Sequence, residues 1–212
     1  MRRGRARAAA AAVALVLAAG LAGCSSGHDF VPGPNPAPGP GPAQVDVDTP
    51  DLRALKADAG IEPCRPGPGG GGLPALTLPC LGGGASVDLS TLRGPMLINV
   101  WQSACDECRV EMPVLQEFHE QYADTVPLLG LDMADTFPGS ALELAQDGGV
   151  TYPLVADPGG DLMGEKGFPR IPGYPDTIFV DADGEVAYTK IGVIDSLDDL
   201  RDLVRQHLGV DL

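Results

Sequence analysis

The sequence predicts an α/β fold in which helices cover a sheet of mixed strand direction. Three observations carry this. Residues 95–101, Pro-Met-Leu-Ile-Asn-Val-Trp, form a nearly continuous apolar run, the pattern of a strand buried on both faces. A second such run covers Val126 to Asp132, and between the two Asp106 to Tyr122 has helical apolar spacing. Near the C-terminus, Thr177–Val180 and Val186–Thr189 flank Asp181-Ala182-Asp183-Gly184, a hairpin signal, with a helix after it.

The elements follow in order. Asp51 to Gly60 reads as a short helix. Leu76–Leu78 and Ser86–Leu89 flank Gly82-Gly83-Gly84 and read as a hairpin. The first buried strand comes next. In the helix after it, Val110, Val114, Leu115 and Phe118 are apolar, whereas Glu117, Glu120 and Gln121 are polar. The second strand is followed by a helix over Ser140–Gln146 that stops at Gly148-Gly149. Tyr152–Ala156 reads as a short strand and Leu162–Lys166 as a short helix. Ser196 caps a last helix running to His207. Strand–helix–strand followed by a hairpin and a final helix is the thioredoxin arrangement, here with an N-terminal β-hairpin extension. The sequence contains no internal repeat.

Ahead of this domain the composition changes. Residues 1–7 carry four Arg, and Ala8 to Leu21 are almost wholly apolar. That core is short of the ~20 residues of a membrane span and fits an export signal. Leu21-Ala22-Gly23-Cys24 resembles the bacterial lipobox, which implies lipidation at Cys24 and an extracytoplasmic, membrane-anchored chain. Alternating Pro and Gly over residues 32–42 cannot pack as a helix and suit a tether. The expected divisions are a signal at 1–23, a linker at 24–50, a disulfide-bearing flexible arm at 51–73 and the domain at 74–212.

Charge narrows the partners. The 14 Lys and Arg stand against 29 Asp and Glu, a net −15. Loss of residues 1–23 removes four Arg and no acid, which takes the mature chain to −19. Such a chain lacks the basic face that phosphate contacts require, so nucleic acid is excluded as a partner. Attachment to anionic lipid would rest on the lipid at Cys24.

Cys105 and Cys108 lie where the first buried strand hands over to its helix. Two Cys three apart at a helix start share one face and can bridge. The helix N-terminus favours the thiolate of the first, the species that attacks another disulfide. Cys105 is therefore the expected exposed nucleophile and Cys108 the shielded resolving thiol. A metal site would need two further ligands. His28, His119 and His207 show no matching spacing, so no metal and no other cofactor is expected.

The segment Asn99-Val100-Trp101 through Cys105, Cys108, Glu111 and Pro113 resembles the membrane-tethered thiol-disulfide oxidoreductases of the TlpA/ResA type. The resemblance covers about residues 74–208. It implies a cis bond before Pro175, in Gly173-Tyr174-Pro175-Asp176-Thr177, that aligns substrate backbone beside the disulfide. Trp101 and Tyr174 are the accompanying substrate-binding candidates. It also implies that Glu111, three residues after the second Cys, relays protons to or from Cys108. Asn99 occupies the position at which thioredoxins carry a buried acid, and an amide cannot accept that proton.

This chain departs from the family pattern in three places. Ala104 replaces a Trp before the first Cys, Glu107 replaces a Pro between the Cys residues, and Tyr174 is bulkier than the usual residue before the Pro. Asp106 and Glu107 put two negative charges beside Cys105, which should raise its pKa and make the couple more reducing. Of the remaining Cys, Cys64 and Cys80 pair by elimination. Closing their fifteen-residue loop is worth about 3 kcal/mol as a structural staple, with an exchangeable second disulfide as the alternative.

The expected activity is reduction of disulfides in exported proteins, with electrons from a membrane thiol donor, by a chain expected to be a monomer. Apocytochrome c is a substrate that the resemblance implies. Two other readings stand beside it. Tyr152–Asp157 suggests a peroxiredoxin-like peroxidase, although the lone-Cys motif is absent. A dithiol that binds Cu(I), or a pure interaction module, is the other.

Overall fold

The computed structural model describes residues 45–212. The export signal, Cys24 and most of the tether lie outside the described residues. Helix α1, Pro50–Ala59, has Thr49 as its cap, whose hydroxyl accepts from Leu52 N–H. It begins on Pro50 and stops at Gly60, which takes φ 73°. Strands β1 (Thr77–Leu78) and β2 (Val87–Asp88) pair antiparallel as the hairpin read from the sequence.

The main sheet is built on β3, Met96–Trp101, in which every residue is buried. α2 (Asp106–Tyr122) follows, then β4 (Leu128–Met133), α3 (Pro138–Asp147) and β5 (Leu154–Asp157). β6 (Asp176–Val180), β7 (Val186–Ile191) and α4 (Leu197–Leu208) complete the chain. The strand order is β5-β4-β3-β6-β7, with β4 and β5 parallel to β3 and β6 antiparallel to it. Since β6 runs backwards, its first residue, Asp176, lies opposite Val100 near the end of β3. One edge of the sheet therefore collects the end of β3 and the start of β6.

Alternation along the strands divides the core in two. Leu97, Trp101, Leu128, Leu154 and Phe179 face Leu52 of α1, Met112 and Leu115 of α2, Leu142 of α3 and Leu200 of α4. Ile98, Val100, Leu131, Val155 and Ile178 face Leu78, Val87, Leu89 and Leu162 on the other side. Helices thus cover one face, while the hairpin and loops cover the other.

Two expectations change. Leu162–Lys166 is a run of turns, not a helix. The Asp157 carboxylate accepts from the N–H groups of Asp161 and Leu162, and Gly160, Gly164 and Gly167 take φ of 69°, 91° and 94°. Both features divert the backbone from helical geometry. The stretch Pro66–Gly72, part of the arm expected to be flexible, is held against residues 90–92. Gly69 N–H donates to Thr91 O, and Gly71 N–H to Ser90 O. A Cβ on Gly71 would stand 1.9 Å from Leu92 O, so glycine is what permits the approach. Leu52, Ile61 and Leu73, in and around that arm, are buried.

Candidate active site

β3 delivers the chain to the sheet edge, and residues 102–104 turn it into α2. Cys105 caps that helix, and its Sγ accepts from Cys108 N–H at 3.0 Å. Cys105 and Cys108 form a disulfide with Cα atoms 5.3 Å apart. The helix start thus places one backbone donor directly on the sulfur that would carry thiolate charge. Cys105 is 9% exposed and Cys108 1%. Their order is the expected one, although the nucleophile is largely covered in the oxidised state. Ala104, Asp106 and Glu107 beside it are exposed.

Ser103 N–H donates to the Asp135 carboxylate at 2.6 Å, which fixes the loop that presents Cys105. Asp135 also accepts from Phe137 N–H. This carboxylate follows β4, next to two others at strand ends, Asp132 and Asp157. Burial, followed by Asp135 and Asp157, pushes the Asp132 carboxyl well above its usual range. The sequence reading missed this acidic group. Its only signal was Asp at the end of each of two apolar runs.

Glu111 lies one turn beyond Cys108 on the same helix face and is fully buried. One carboxylate oxygen accepts from Asn99 Nδ2 at 2.8 Å and the other from Ile194 N–H at 2.8 Å. Asn99 also donates to Thr177 Oγ1. Burial raises the Glu111 carboxyl to about 7, with the Ile194 and Asn99 hydrogen bonds pulling the other way. The residue is a buried acid poised near neutral pH, not a solvated helix charge. Asn99, dismissed from the sequence as unable to accept a proton, is one of the donors holding the acid that can.

Tyr174–Pro175 is a cis bond, and Pro175 is buried at the start of β6. Tyr174 is half-buried, and burial, followed by Asp132 and Asp157, pushes its hydroxyl above the usual value. Trp101 requires a correction. It is wholly buried among the residues beneath the helices, so its side chain cannot touch a substrate. It shares a face of β3 with Leu97 and Asn99, and that face is covered by α2.

Cys64 and Cys80 form the second disulfide. The Cys80 backbone bridges to Val155 on β5, far along the sheet from Cys105. The large exposed hydrophobics among the described residues are Val110, Phe137, Met163 and Ile191. Val110 lies in the first turns of α2, Phe137 and Met163 follow β4 and β5, and Ile191 lies opposite Asp176. All four fall at the sheet edge that carries Cys105. Among the described residues no group of three potential ligands is arranged to hold a metal, and no helix is long and apolar enough to cross a membrane.

The AhpC/TSA family model matches residues 70–189. The chain is 34% identical over 125 residues to a thiol:disulfide interchange protein DsbE of Pseudomonas fluorescens, covering 58% of this chain and 67% of that one. It is 28% identical over 111 residues to a thiol-disulfide oxidoreductase ResA of Bacillus thuringiensis, covering 51% and 62%. The chain thus spans about two thirds or less of these relatives' lengths. A secreted thiol-disulfide isomerase of Corynebacterium glutamicum superposes with a TM-score of 0.54 at 25% identity, over 61% of this chain and 81% of that one.

Proposed function

Because the chain belongs to the AhpC/TSA family, as a thiol-disulfide oxidoreductase of the DsbE and ResA type, we propose that it is a lipid-anchored, extracytoplasmic reductase of disulfides in exported proteins. The observation that carries this reading is the Cys105–Cys108 disulfide at the start of α2, backed by buried Glu111. Cys105 thiolate attacks one sulfur of the substrate disulfide and expels the other as a thiolate. Cys108 then attacks Cys105 Sγ, which closes the observed disulfide and frees the second substrate thiolate. Two electrons pass to the substrate. Glu111 takes the proton that Cys108 must lose, a task suited to an acid near pH 7.

Several features favour a polypeptide substrate. Pro175 precedes β6 at the sheet edge that also carries the start of α2, and on this reading it aligns an extended backbone. Val110, Phe137, Met163 and Ile191 offer apolar contact around it. Cys24 supplies the anchor, and the electrons come from a membrane thiol donor. An apocytochrome c is a suitable substrate because its Cys pair must be reduced before haem attaches.

The deciding experiment measures the reduction potential of Cys105/Cys108 in a Cys64→Ala, Cys80→Ala background. A potential near that of thioredoxin, about −270 mV, is expected. A potential near −120 mV would make the protein an oxidant. Peroxide turnover by the reduced protein faster than disulfide turnover would favour the peroxidase reading instead.

A further inference from the structure

Lys56 is an unusual neighbour for a disulfide. Its side chain is buried, and its Nζ lies 2.9 Å from Cys80 Sγ and 2.9 Å from Gly83 O. Among the described residues Lys56 forms no ion pair. The nearby Asp48 carboxylate is bonded to Arg53 at 2.6 Å. Burying an ammonium beside a neutral sulfur is unfavourable. The placement becomes favourable when that sulfur carries negative charge.

Both cysteines are buried, Cys80 the more completely. Cys64 is 4% exposed and Cys80 1%. Pro63 and Arg65, on either side of Cys64, line a cavity of about 490 Å³ together with Pro153 and His119. Cys64 itself does not line that cavity, and its Sγ lies 3.1 Å from Leu154 O, so attack at Cys64 needs the Pro63–Arg65 segment to move aside, while Cys80 stays behind it against Lys56.

We propose that Cys64–Cys80 is a second exchangeable couple, opened by an external dithiol at Cys64 Sγ with Cys80 leaving as a thiolate on the Lys56 ammonium. The attacking thiolate forms a bond to Cys64 as the Cys64–Cys80 bond breaks. The dithiol's second thiolate then attacks its own first sulfur and releases Cys64, which takes up a proton. The dithiol becomes a disulfide, the pair gains two electrons, and the other proton goes to solvent. This inference is independent of the Cys105 chemistry. The charged groups around Lys56 and Cys80 are Asp48 and Arg53, already paired with each other. Burial lowers the Lys56 ammonium pKa, and Asp48 opposes that change.

The test uses the full chain carrying Cys105→Ser and Cys108→Ser, equilibrated with dithiothreitol redox buffers and read by mass after thiol trapping. The Cys64–Cys80 pair should reduce while the native circular dichroism persists. Lys56→Met should shift the equilibrium at least tenfold towards the disulfide, which corresponds to ~30 mV. In a second variant, with Cys64→Ala added, Cys80 is the lone thiol of the domain. Its ultraviolet thiolate absorbance should titrate below the free-thiol value of about 8.5, and Lys56→Met should move it above. An unchanged equilibrium in Lys56→Met would overturn the proposal. So would reduction only together with unfolding, or a Cys80 midpoint above the free-thiol value with Lys56 intact. If Lys56→Met does not fold, the Cys64→Ala titration alone decides.

Discussion

Glu111→Gln separates proton handling from packing. The substitution keeps the side-chain volume and one acceptor for the Asn99 or Ile194 donor, but holds no exchangeable charge. In the native chain the carboxyl rises from its usual 4.5 to about 7, chiefly by burial. That gap corresponds to roughly 3 kcal/mol between the two protonation states. It has two consequences. Between about pH 4.5 and 7 the folded chain holds a proton that the unfolded chain has released. Stability therefore falls as pH rises through that window, by roughly 3 kcal/mol from this residue, and is level above it. Glu111→Gln removes that contribution, so the variant gains on the native protein as pH rises. Urea unfolding of the oxidised proteins at pH 5 and pH 8 reads the difference. Asp132 and Asp176 are also raised by burial, so each adds a slope of the same sign where it titrates. In catalysis, the pH profile of disulfide reduction should lose its limb near 7, and the rate at neutral pH should fall roughly 100-fold. A limb that stays at the same pH in Glu111→Gln would refute a part for this residue in the proton transfer.

Three further outcomes follow from the same geometry. Asn99→Ala removes a donor that lowers the Glu111 pKa, so the limb near 7 should move to higher pH; a static or falling midpoint would show that the hydrogen bond does not set it. Asp106→Asn with Glu107→Gln removes two exposed charges beside Cys105. At ~6 Å in water each is worth about 0.7 kcal/mol, so the Cys105 thiol pKa should fall by about 0.5 to 1, less in high salt. Thiolate absorbance at two ionic strengths checks this. Trp101→Phe should cost about 1–3 kcal/mol of stability through lost packing while leaving KM unchanged, because Trp101 is wholly buried. A KM rise without destabilisation would restore the contact role inferred from sequence.

The sequence located α2 to the residue, because Cys105 offers a cap, acidic residues follow it and the apolar spacing runs unbroken to Tyr122. The buried strands were equally visible, since burial on both faces leaves a continuous apolar run. Local signals failed where side chains redirected the backbone. The Asp157 carboxylate takes two N–H groups of the segment read as a helix at 162–166. Trp101 was misassigned because proximity in sequence to Cys105 says nothing of which strand face it occupies. Pairings across long separations were invisible as well. Asn99 and Ile194 lie 12 and 83 residues from Glu111, and Lys56 lies 24 from Cys80. Spacing pointed to Glu111 itself, but not to the donors that tune it.

Those donors make the proton site a junction of four parts of the fold. Glu111 belongs to α2, Asn99 to β3, Thr177 to β6 and Ile194 to the segment before α4. Thr177 lies two residues beyond Pro175, so the acid is tied through Asn99 to the strand that would receive substrate. Burial raises its pKa and two N–H donors lower it, with smaller opposing effects from Lys190 and Asp176. A further effect appears only during turnover. When Cys108 ionises one helical turn away, its negative charge favours protonated Glu111. When the disulfide closes, that charge vanishes and the carboxyl can release its proton. The two groups then titrate as a pair, and the apparent pKa values of the reduced protein belong to that pair, not to either residue. A proton enters or leaves this buried site in step with the electrons, which is what a thiol couple working near neutral pH requires.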